Sequence, residues 1–429
     1  MIKRYQYFLG LAALLFTVSC QPTLDEYKPE GNASVDFKHF IAVGNSLTSG
    51  YADGGLSRAG QEVAFPNLMA KSMAEVGGGE FRTPLFTEEQ RNGSGYIRLK
   101  DLVNGNPVTE AVTSNLAYRA PKLLTKYTDP IENLGVPGMR LDFAFAPGVG
   151  TTAGNMYFER LLKEGTSPAY TYFTHATSQD HTFFSFWLGN NDVLLFATNG
   201  GVTTDATNRI TTTAEFRQHY TNFINALTAK GQKGVVATIP EVTATPHFTT
   251  VTRAALLQAV NANTTTKVEN IYISTKAGTR PATDDDFFLL PFSSKGLLGS
   301  TTAANPYPYG LHPNKPVEDM YVLDKAEAEE VKQRTKEFNT IIKEVAEQKG
   351  LALADAHAYL NQVKAGIFIN GIQLSARFIQ GNVFSLDGIH LTPMGNALLA
   401  NLFIDAINKE YNTRLTRVDF TKFRGVIYP

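Results

Sequence analysis

Short runs of apolar residues recur along the chain, and each ends at a residue or loop that interrupts it. The runs cover residues 37–43, 130–134, 182–188, 234–239 and 351–354. Because they are nearly continuous rather than alternating, they are typical of strands covered by other elements on both faces. We therefore predict a strand at each run, the one at 130–134 being the weakest.

Helical patterns lie between these runs. The clearest covers residues 325–349, where Asp324 and Glu327 have the spacing of a capping box and Gly350 follows as a C-cap. The last helix is predicted to begin at Thr392, which precedes a proline in the first helical position. Alternating strands and helices predict an α/β fold with a parallel sheet, whose ligand crevice lies beyond the carboxyl ends of the strands.

Two stretches, residues 148–180 and 243–316, fit this alternation less well. The first is rich in Gly, Thr, Tyr and Phe, and the second mixes Thr, Asn, Pro and aromatic residues. We interpret both as long insertions packed over the core, at the wall of a substrate cleft. Within the second, the run FFLLPF at 287–292 would suit an acyl chain, or equally the core of the insertion. Residues 37–429 are predicted to form a single domain.

The composition is that of a globular protein without an obvious polyanionic partner. Of 429 residues, 43% are hydrophobic and 18% are charged, and the formal net charge is −1. This balance gives no electrostatic reason to expect nucleic acid as a partner. No stretch after the first 20 residues has 18 consecutive apolar residues, so no membrane span is expected in the body.

The first 20 residues have the pattern of a secretory signal. Lys3 and Arg4 precede an uncharged stretch at 7–16, and small residues lead to Cys20. This arrangement resembles a bacterial lipobox, in which the cysteine becomes the lipidated first residue of the mature chain. We therefore predict a lipoprotein signal peptide at 1–20 and an exported protein anchored in a membrane, with the outer membrane as its expected location. An ordinary cleaved signal with a chance cysteine is the alternative.

Residues 21–36 are mostly polar and contain two prolines and a glycine. They are predicted to form a flexible tether that holds the body away from the membrane. Since Cys20 is the only cysteine of the chain, no internal disulfide is expected.

Candidate chemistry lies in the loops that follow the apolar runs. Ser46 follows the first run, although no Gly-x-Ser-x-Gly elbow surrounds it, which argues against the α/β-hydrolase pattern. A serine nucleophile needs a base, and the base needs a group that orients it. Asp387 and His390 are three residues apart, just before the last helix, and could supply both. Taken alone, the pair could equally be an Asp-Gly turn and a structural histidine.

Four loops together resemble the SGNH (GDSL-type) esterase and lipase family. The matching segments, in the family's order, are Gly44-Asn45-Ser46-Leu47, residues 133–138 (NLGVPG), residues 189–192 (GNND) and residues 387–390 (DGIH). The resemblance spans nearly the whole body. It implies a flavodoxin-like, three-layer α/β/α sandwich with a mostly parallel sheet.

The resemblance also implies roles for individual residues. Ser46 would be the nucleophile, His390 the general base, and Asp387 the group that orients the imidazole. The oxyanion hole would consist of the backbone N–H of Ser46, the backbone N–H of Gly135 and the side-chain amide of Asn191. No metal or organic cofactor is implied.

One residue departs from the family pattern. Asn45 stands where the family usually has Asp, and because that Asp is not the nucleophile, activity is expected to survive. Arg140 is a candidate for the cleft wall, against an ordinary structural role. Asp53, in the sequence GYADGG, is interpreted as a turn residue rather than a ligand.

The sequence thus predicts an exported serine esterase or lipase that acts through an acyl-enzyme on Ser46. A carbohydrate O-acetyl esterase of the same fold is the alternative, so the ester substrate is either an acyl lipid or an acylated sugar. A rival from another class is a non-catalytic surface lipoprotein that binds lipid or glycan on an inactive hydrolase scaffold.

Overall fold

The computed structural model describes residues 35–103, 106–262, 267–302 and 305–429. The predicted signal peptide with Cys20, and the predicted tether up to residue 34, lie outside these ranges. The helices in the described ranges are α1 (Ser46–Ser49), α2 (Arg58–Glu62), α3 (Phe65–Ala74), α4 (Met156–Glu159), α5 (Tyr172–Thr177), α6 (Asn191–Thr198), α7 (Thr213–Leu227), α8 (Pro246–Thr249), α9 (Arg253–Asn261), α10 (Leu290–Lys295), α11 (Lys325–Lys349), α12 (Ala356–Ala365) and α13 (Pro393–Tyr411).

The strands in the same ranges include several short hairpins beside one central sheet. They are β1 (Phe40–Gly44), β2 (Tyr96–Val103), β3 (Asn106–Val112), β4 (Tyr118–Ala120), β5 (Leu123–Leu124), β6 (Phe183–Trp187), β7 (Lys233–Ala237), β8 (Tyr272–Ile273), β9 (Arg280–Pro281), β10 (Phe287–Phe288), β11 (Val322–Leu323), β12 (Ala352–Ala354), β13 (Ile367–Ile369) and β14 (Ile372–Leu374).

The central sheet is parallel, in the order β1-β6-β7-β12. Every residue of β1 and β6 is buried, as expected for strands covered on both faces. Helices cover the sheet, so the predicted α/β fold with a mostly parallel sheet is confirmed. All four strands overlap apolar runs of the sequence, and each run predicts its strand to within a few residues.

The fifth and weakest run does not become a strand. Residues 131–136 lie beside β1 and bond to it, with Leu134 N–H donating to Ala42 O at 2.8 Å and Val136 N–H donating to Gly44 O at 3.0 Å. Only one parallel bridge, between Ala42 and Asn133, interrupts what is otherwise loop. Proline ends the segment at Pro137, since it has no N–H to continue a ladder.

Alternate residues of β1 and β6 enter two different cores. Ile41 and Phe184 belong to one apolar cluster, which includes buried residues of α7 and α11. Ala42 and Phe183 belong to the other, which includes buried residues of α3 and α13. Because neighbouring side chains of a strand point to opposite faces, the sheet lies between two helical layers.

The capping signals of the two strongest helices are confirmed. Asp324 and Glu327 form a reciprocal capping box at the start of α11, and Gly350 ends it in a left-handed conformation, with φ of 59°. The hydroxyl of Thr392 accepts from Gly395 N–H at the start of α13. These caps place the loop before α13 firmly, and that loop carries Asp387 and His390.

The stretch 243–316 contributes most of a separate, third apolar cluster, in which Phe288 and Phe292 are buried. The run at 287–292 thus supplies Phe288 and Phe292 to the interior of this stretch, while Leu289 belongs to the main core. The division into one domain with two insertions remains a prediction. Across the described ranges, no helix combines the length and apolar character that spanning a bilayer requires.

Candidate active site

Ser46 lies where β1 meets α1. Asn45 is the N-cap of this short helix, and its side-chain Oδ1 accepts from Leu47 N–H at 3.1 Å. A neutral amide oxygen fulfils this role as well as a carboxylate would. Gly44 is required just before it, since a Cβ there would come within 2.0 Å of Thr48 Oγ1. The backbone therefore bends sharply and leaves the Ser46 side chain at the carboxyl end of the strand.

His390 bridges Ser46 and Asp387. Its Nε2 lies 2.8 Å from Ser46 Oγ, and its Nδ1 lies 2.8 Å from Asp387 Oδ2. An ionised carboxylate can only accept, so Nδ1 carries the proton and Nε2 accepts the Ser46 hydroxyl. Asp387 and His390 lie three positions apart in the sequence, and both lie more than 340 positions after Ser46. The structure brings all three together in the order that activation of the hydroxyl requires.

The surroundings of Asp387 favour its ionised form. Burial opposes ionisation, but the neighbouring His390, together with hydrogen bonds from His390 and Ile389, outweighs it and holds the pKa of Asp387 well below its usual range. The N–H groups of Ile389 and His390 both donate to Oδ1, at 2.9 and 2.8 Å. The carboxylate is therefore fixed in position as well as charged.

The predicted oxyanion donors do not all lie at the site. Asn191 begins α6, and its side-chain amide donates to Met139 O at 2.9 Å, which leaves its second N–H for another acceptor. The N–H of Gly135, however, donates to Asn133 Oδ1 at 3.0 Å. A Cβ at Gly135 would also lie 2.4 Å from Ser49 N, so this glycine serves close packing against α1. The sequence assignment of Gly135 as an oxyanion donor is corrected on this ground.

Gly138, three residues after Gly135, borders the active-site cleft, whereas Gly135 does not. Gly138 lines the same open cleft as Ser46 and Asn191, and it occupies a turn closed by the bond from Met139 N–H to Val136 O. Its φ of 76° is a conformation that favours glycine. Among the described residues its N–H has no hydrogen-bond partner. The Pro-Gly pair in NLGVPG is a turn signal that could have identified it.

A buried ionic cluster supports the Asn191 end of the site. Asp192 accepts from Leu141 N–H at 2.8 Å and from Thr211 Oγ1 at 2.7 Å. Arg140, which is 0% exposed, donates to Asp142 through both Nε and a terminal nitrogen and also binds Thr211. Burial, partly offset by Arg140, raises the pKa of Asp192. Arg140 is thus a structural residue and not part of the cleft wall.

Two cavities meet at Ser46, His390 and Asn191. One is narrow, about 80 Å³, and is lined mainly by apolar side chains, with Asn45, Asn190 and Thr245 also at its wall. The apolar side chains come from α12, the loop before α13 and α13 itself; the principal ones are Tyr359, Leu360, Val363, Val383, Phe384 and Leu399. The other is an open cleft of about 390 Å³ with polar groups in its wall, notably Tyr51, Asn155, Tyr157 and Thr198.

Several residues near the site were not identified from the sequence. The ring of Tyr51 lies against His390, with ring centroids 4.7 Å apart, and burial raises its pKa well above the usual range. The apolar cavity is formed largely by residues 356–363 and 383–399, whose pattern is that of ordinary core. No local signal separates a cavity wall from a packed core, because the difference is made by the surrounding elements.

The family of the chain follows from a comparison with known families. The family described as GDSL-like lipase/acylhydrolase matches residues 40–403, which include Ser46, Asn191, Asp387 and His390. The chain therefore belongs to this family of serine ester hydrolases. No curated protein matches the chain.

Solved structures of related enzymes are only distantly similar. A lipase/acylhydrolase from Enterococcus faecalis is 13% identical, with 88% of this chain and 98% of that chain covered and a TM-score of 0.34. An extracellular lipase from Streptomyces rimosus is 11% identical, with 86% and 98% covered and a TM-score of 0.33. A catalytic mutant of an acetylxylan esterase from Geobacillus stearothermophilus is 9% identical, with 90% and 98% covered and a TM-score of 0.35.

Proposed function

We propose that this ester hydrolase acts through an acyl-enzyme on Ser46. The observation that supports this most directly is the chain of two 2.8 Å contacts from Asp387 through His390 to Ser46. Ser46 Oγ attacks the ester carbonyl carbon while its proton passes to His390 Nε2. The same proton then moves to the departing alcohol as the C–O bond breaks. Water repeats the sequence on the acyl-enzyme and releases the acid.

The oxyanion of each tetrahedral intermediate would be bound by three N–H donors. We assign these to the backbone of Ser46, the backbone of Gly138 and the side chain of Asn191. The support is that all three residues border the open cleft and that the N–H groups of Ser46 and Gly138 have no hydrogen-bond partner among the described residues. Removing one such donor typically costs about 10²–10³-fold in kcat.

The two cavities support a division of the substrate between them. The narrow apolar cavity suits an unbranched acyl chain, since its lining offers few polar groups to bind water or sugar hydroxyls. The open cleft beside Tyr51 and Tyr157 would hold the alcohol portion. We therefore favour an acyl ester of medium or long chain as substrate.

A carbohydrate acetyl ester is the second candidate. The open cleft includes the polar side chains of Asn155 and Thr198, which could hold a sugar alcohol, and an acetyl group would leave most of the apolar cavity unfilled. A non-catalytic binding protein, the rival from another class, is disfavoured, because it would not require the contact between Ser46 and His390.

Hydrolysis of p-nitrophenyl esters from acetate to palmitate tests these alternatives, with Ser46→Ala as the matched control. We expect turnover by the wild-type protein, none above background by the variant, and a preference for medium or long chains. A preference confined to acetate would favour the sugar esterase. If folded wild-type protein is no faster than Ser46→Ala on every ester, the proposed mechanism is wrong.

We also propose that the protein is exported and carries lipid on Cys20, with the outer membrane as its location. The support is the sequence pattern alone: a basic pair, an apolar stretch at 7–16 and small residues before the cysteine. Multiple acyl chains would anchor the protein more firmly than one chain can. Metabolic labelling with an alkyne fatty acid should mark the wild-type protein, and Cys20→Ala should abolish the label. Equal labelling of both would contradict lipidation at Cys20.

A further inference from the structure

A turn that follows the nucleophile helix reaches across to the loop that carries Asp387. The turn covers residues 51–54, and it begins where Tyr51 N–H donates to Ser46 O at 3.0 Å. Tyr51 lies against the His390 ring, and its hydroxyl donates to Gly54 O at 2.6 Å. One short segment therefore contacts both the helix of Ser46 and the imidazole of His390.

The same turn binds both oxygens of Asp387, one directly and one through an intermediary. Gly54 N–H donates to Asp387 Oδ2 at 2.9 Å, which is the oxygen that also binds His390. Asp53 N–H donates to Ser385 Oγ at 3.0 Å, and this hydroxyl donates to Asp387 Oδ1 at 3.2 Å. The carboxylate is held across 333 residues of sequence by a turn that comes directly after the nucleophile helix.

The side chain of Asp53 completes the connection. Its Oδ1 accepts from Leu386 N–H at 2.8 Å, so the residue binds Ser385 with its backbone and Leu386 with its carboxylate. Its φ is 55°, in the left-handed region where Asp and Asn are favoured over most other residues. These two bonds and this conformation aim Gly54 N–H at Asp387 Oδ2.

We propose that Asp53 is a positioning residue for the Asp387–His390 pair. It makes no contact with the cleft that holds the reacting atoms; it fixes the loop whose carboxylate orients the imidazole. The inference rests on the proposed mechanism, because it concerns how well His390 is aimed at Ser46. It gives this turn, read from the sequence only as GYADGG, a role in the turnover rate.

Asp53 holds the Asp387 loop through its hydrogen bonds rather than through its charge. Burial raises the pKa of Asp53 and the bond from Leu386 N–H lowers it; the nearby Asp387 raises it further, while Arg424 and His390 lower it. On the opposite side of the Asp387 loop, His247 N–H donates to Gly388 O at 3.0 Å. The loop is therefore held by hydrogen bonds on both sides. Removing the Asp53 acceptor breaks the bond to Leu386 N–H on one side and leaves the bond from His247 N–H on the other.

Asp53→Gly tests the proposal, because glycine adopts the same positive φ without strain but offers no acceptor to Leu386 N–H. Asp53→Asn is the conservative variant, since asparagine tolerates this conformation and retains an acceptor. Asn370→Gly is the matched control: Asn370 also has a positive φ, 50°, but lies in the exposed turn between β13 and β14. The readouts are kcat and KM on p-nitrophenyl esters and the rate at which a fluorophosphonate probe modifies Ser46.

For Asp53→Gly we expect kcat and the probe rate to fall about tenfold to a hundredfold with KM little changed, as misaligned catalytic groups produce. Asp53→Asn should recover most of that loss, and Asn370→Gly should behave as wild type. Equal kcat in Asp53→Gly and Asn370→Gly, with wild type active, would overturn the inference and leave the mechanism standing. A wild type that neither hydrolyses esters nor reacts at Ser46 would overturn both.

Ser385→Ala provides an independent route if Asp53→Gly does not fold. It removes the hydroxyl that links Asp53 N–H to Asp387 Oδ1 and leaves the turn itself intact. A lower kcat with unchanged KM supports the proposal. Wild-type kcat in this variant would overturn it.

Discussion

Replacing Asp53 by asparagine should stabilise the protein at neutral pH and do so less as the pH falls. Burial, opposed in part by the bond from Leu386 N–H, raises the pKa of Asp53 from its ordinary value of 3.8 to about 6. The folded state therefore holds a proton that the unfolded state releases between these two values. Asparagine resembles the protonated form and avoids the cost of placing a charge beside Asp387.

The sign and size of the effect follow from this shift. A group whose pKa is raised on folding contributes stability that is present at low pH and is lost as the pH rises through its folded value. A shift of about 2 units corresponds to about 3 kcal/mol. Because Asp53 is partly exposed, solvent screening lowers the expected difference between the variant and the wild type to about 1–2 kcal/mol. The difference should appear above pH 6 and vanish below about pH 4.

Chemical denaturation at a series of pH values measures this difference. Trp187 is the only tryptophan of the chain and is 3% exposed, so its fluorescence reports unfolding of the core. Asp129→Asn, at an exposed carboxylate, corrects for the loss of one surface charge. A stability difference that stays constant from pH 4 to pH 8, or that grows as the pH falls, would refute this account of Asp53.

Three other changes test separate parts of the structure. Asn191→Ala should lower kcat by about 10²–10³-fold with little change in KM, because an oxyanion donor is lost; an unchanged kcat in steady-state assays would contradict this. Arg140→Met removes the buried partner of Asp142 and leaves it only the more exposed Arg209, so it should destabilise the fold by up to about 3–5 kcal/mol in chemical denaturation, whereas wild-type stability would argue against the cluster. Leu360→Trp should fill the apolar cavity and shift the preference to esters of shorter acyl chains. An unchanged chain-length profile on p-nitrophenyl esters would show that this cavity does not bind the acyl chain.

Much of the fold could be predicted from local pattern. Strands covered on both faces have runs of apolar residues, and Phe183–Trp187 is a clear case. The helix Lys325–Lys349 carries its own start and stop signals, and the structure uses both. The segment around Leu134 differs because its ladder depends on β1 as a partner and is cut short by Pro137, so its local pattern alone gave only a weak prediction.

Site residues that belong to short motifs at strand ends could be predicted from the sequence. Residues whose role depends on tertiary contacts could not. Ser46 Oγ and His390 Nε2 lie 2.8 Å apart, which agrees with the pairing that their motifs predict. Gly135 could not be excluded as an oxyanion donor from its motif alone, because its N–H is bound by the Asn133 side chain, a contact that only the structure shows. Asp53 could be recognised as a turn residue, but its contact with Leu386 is a tertiary one that no local pattern indicates.

The most direct test of the account is to map the site that a fluorophosphonate probe modifies. Attack by a serine oxygen on phosphorus expels fluoride and leaves a stable adduct that peptide mass spectrometry can locate. We predict a single adduct on Ser46, absent in Ser46→Ala and formed much more slowly in His390→Ala. An adduct on another residue, or undiminished labelling in His390→Ala, would contradict the assignment of Ser46 as a nucleophile activated by His390.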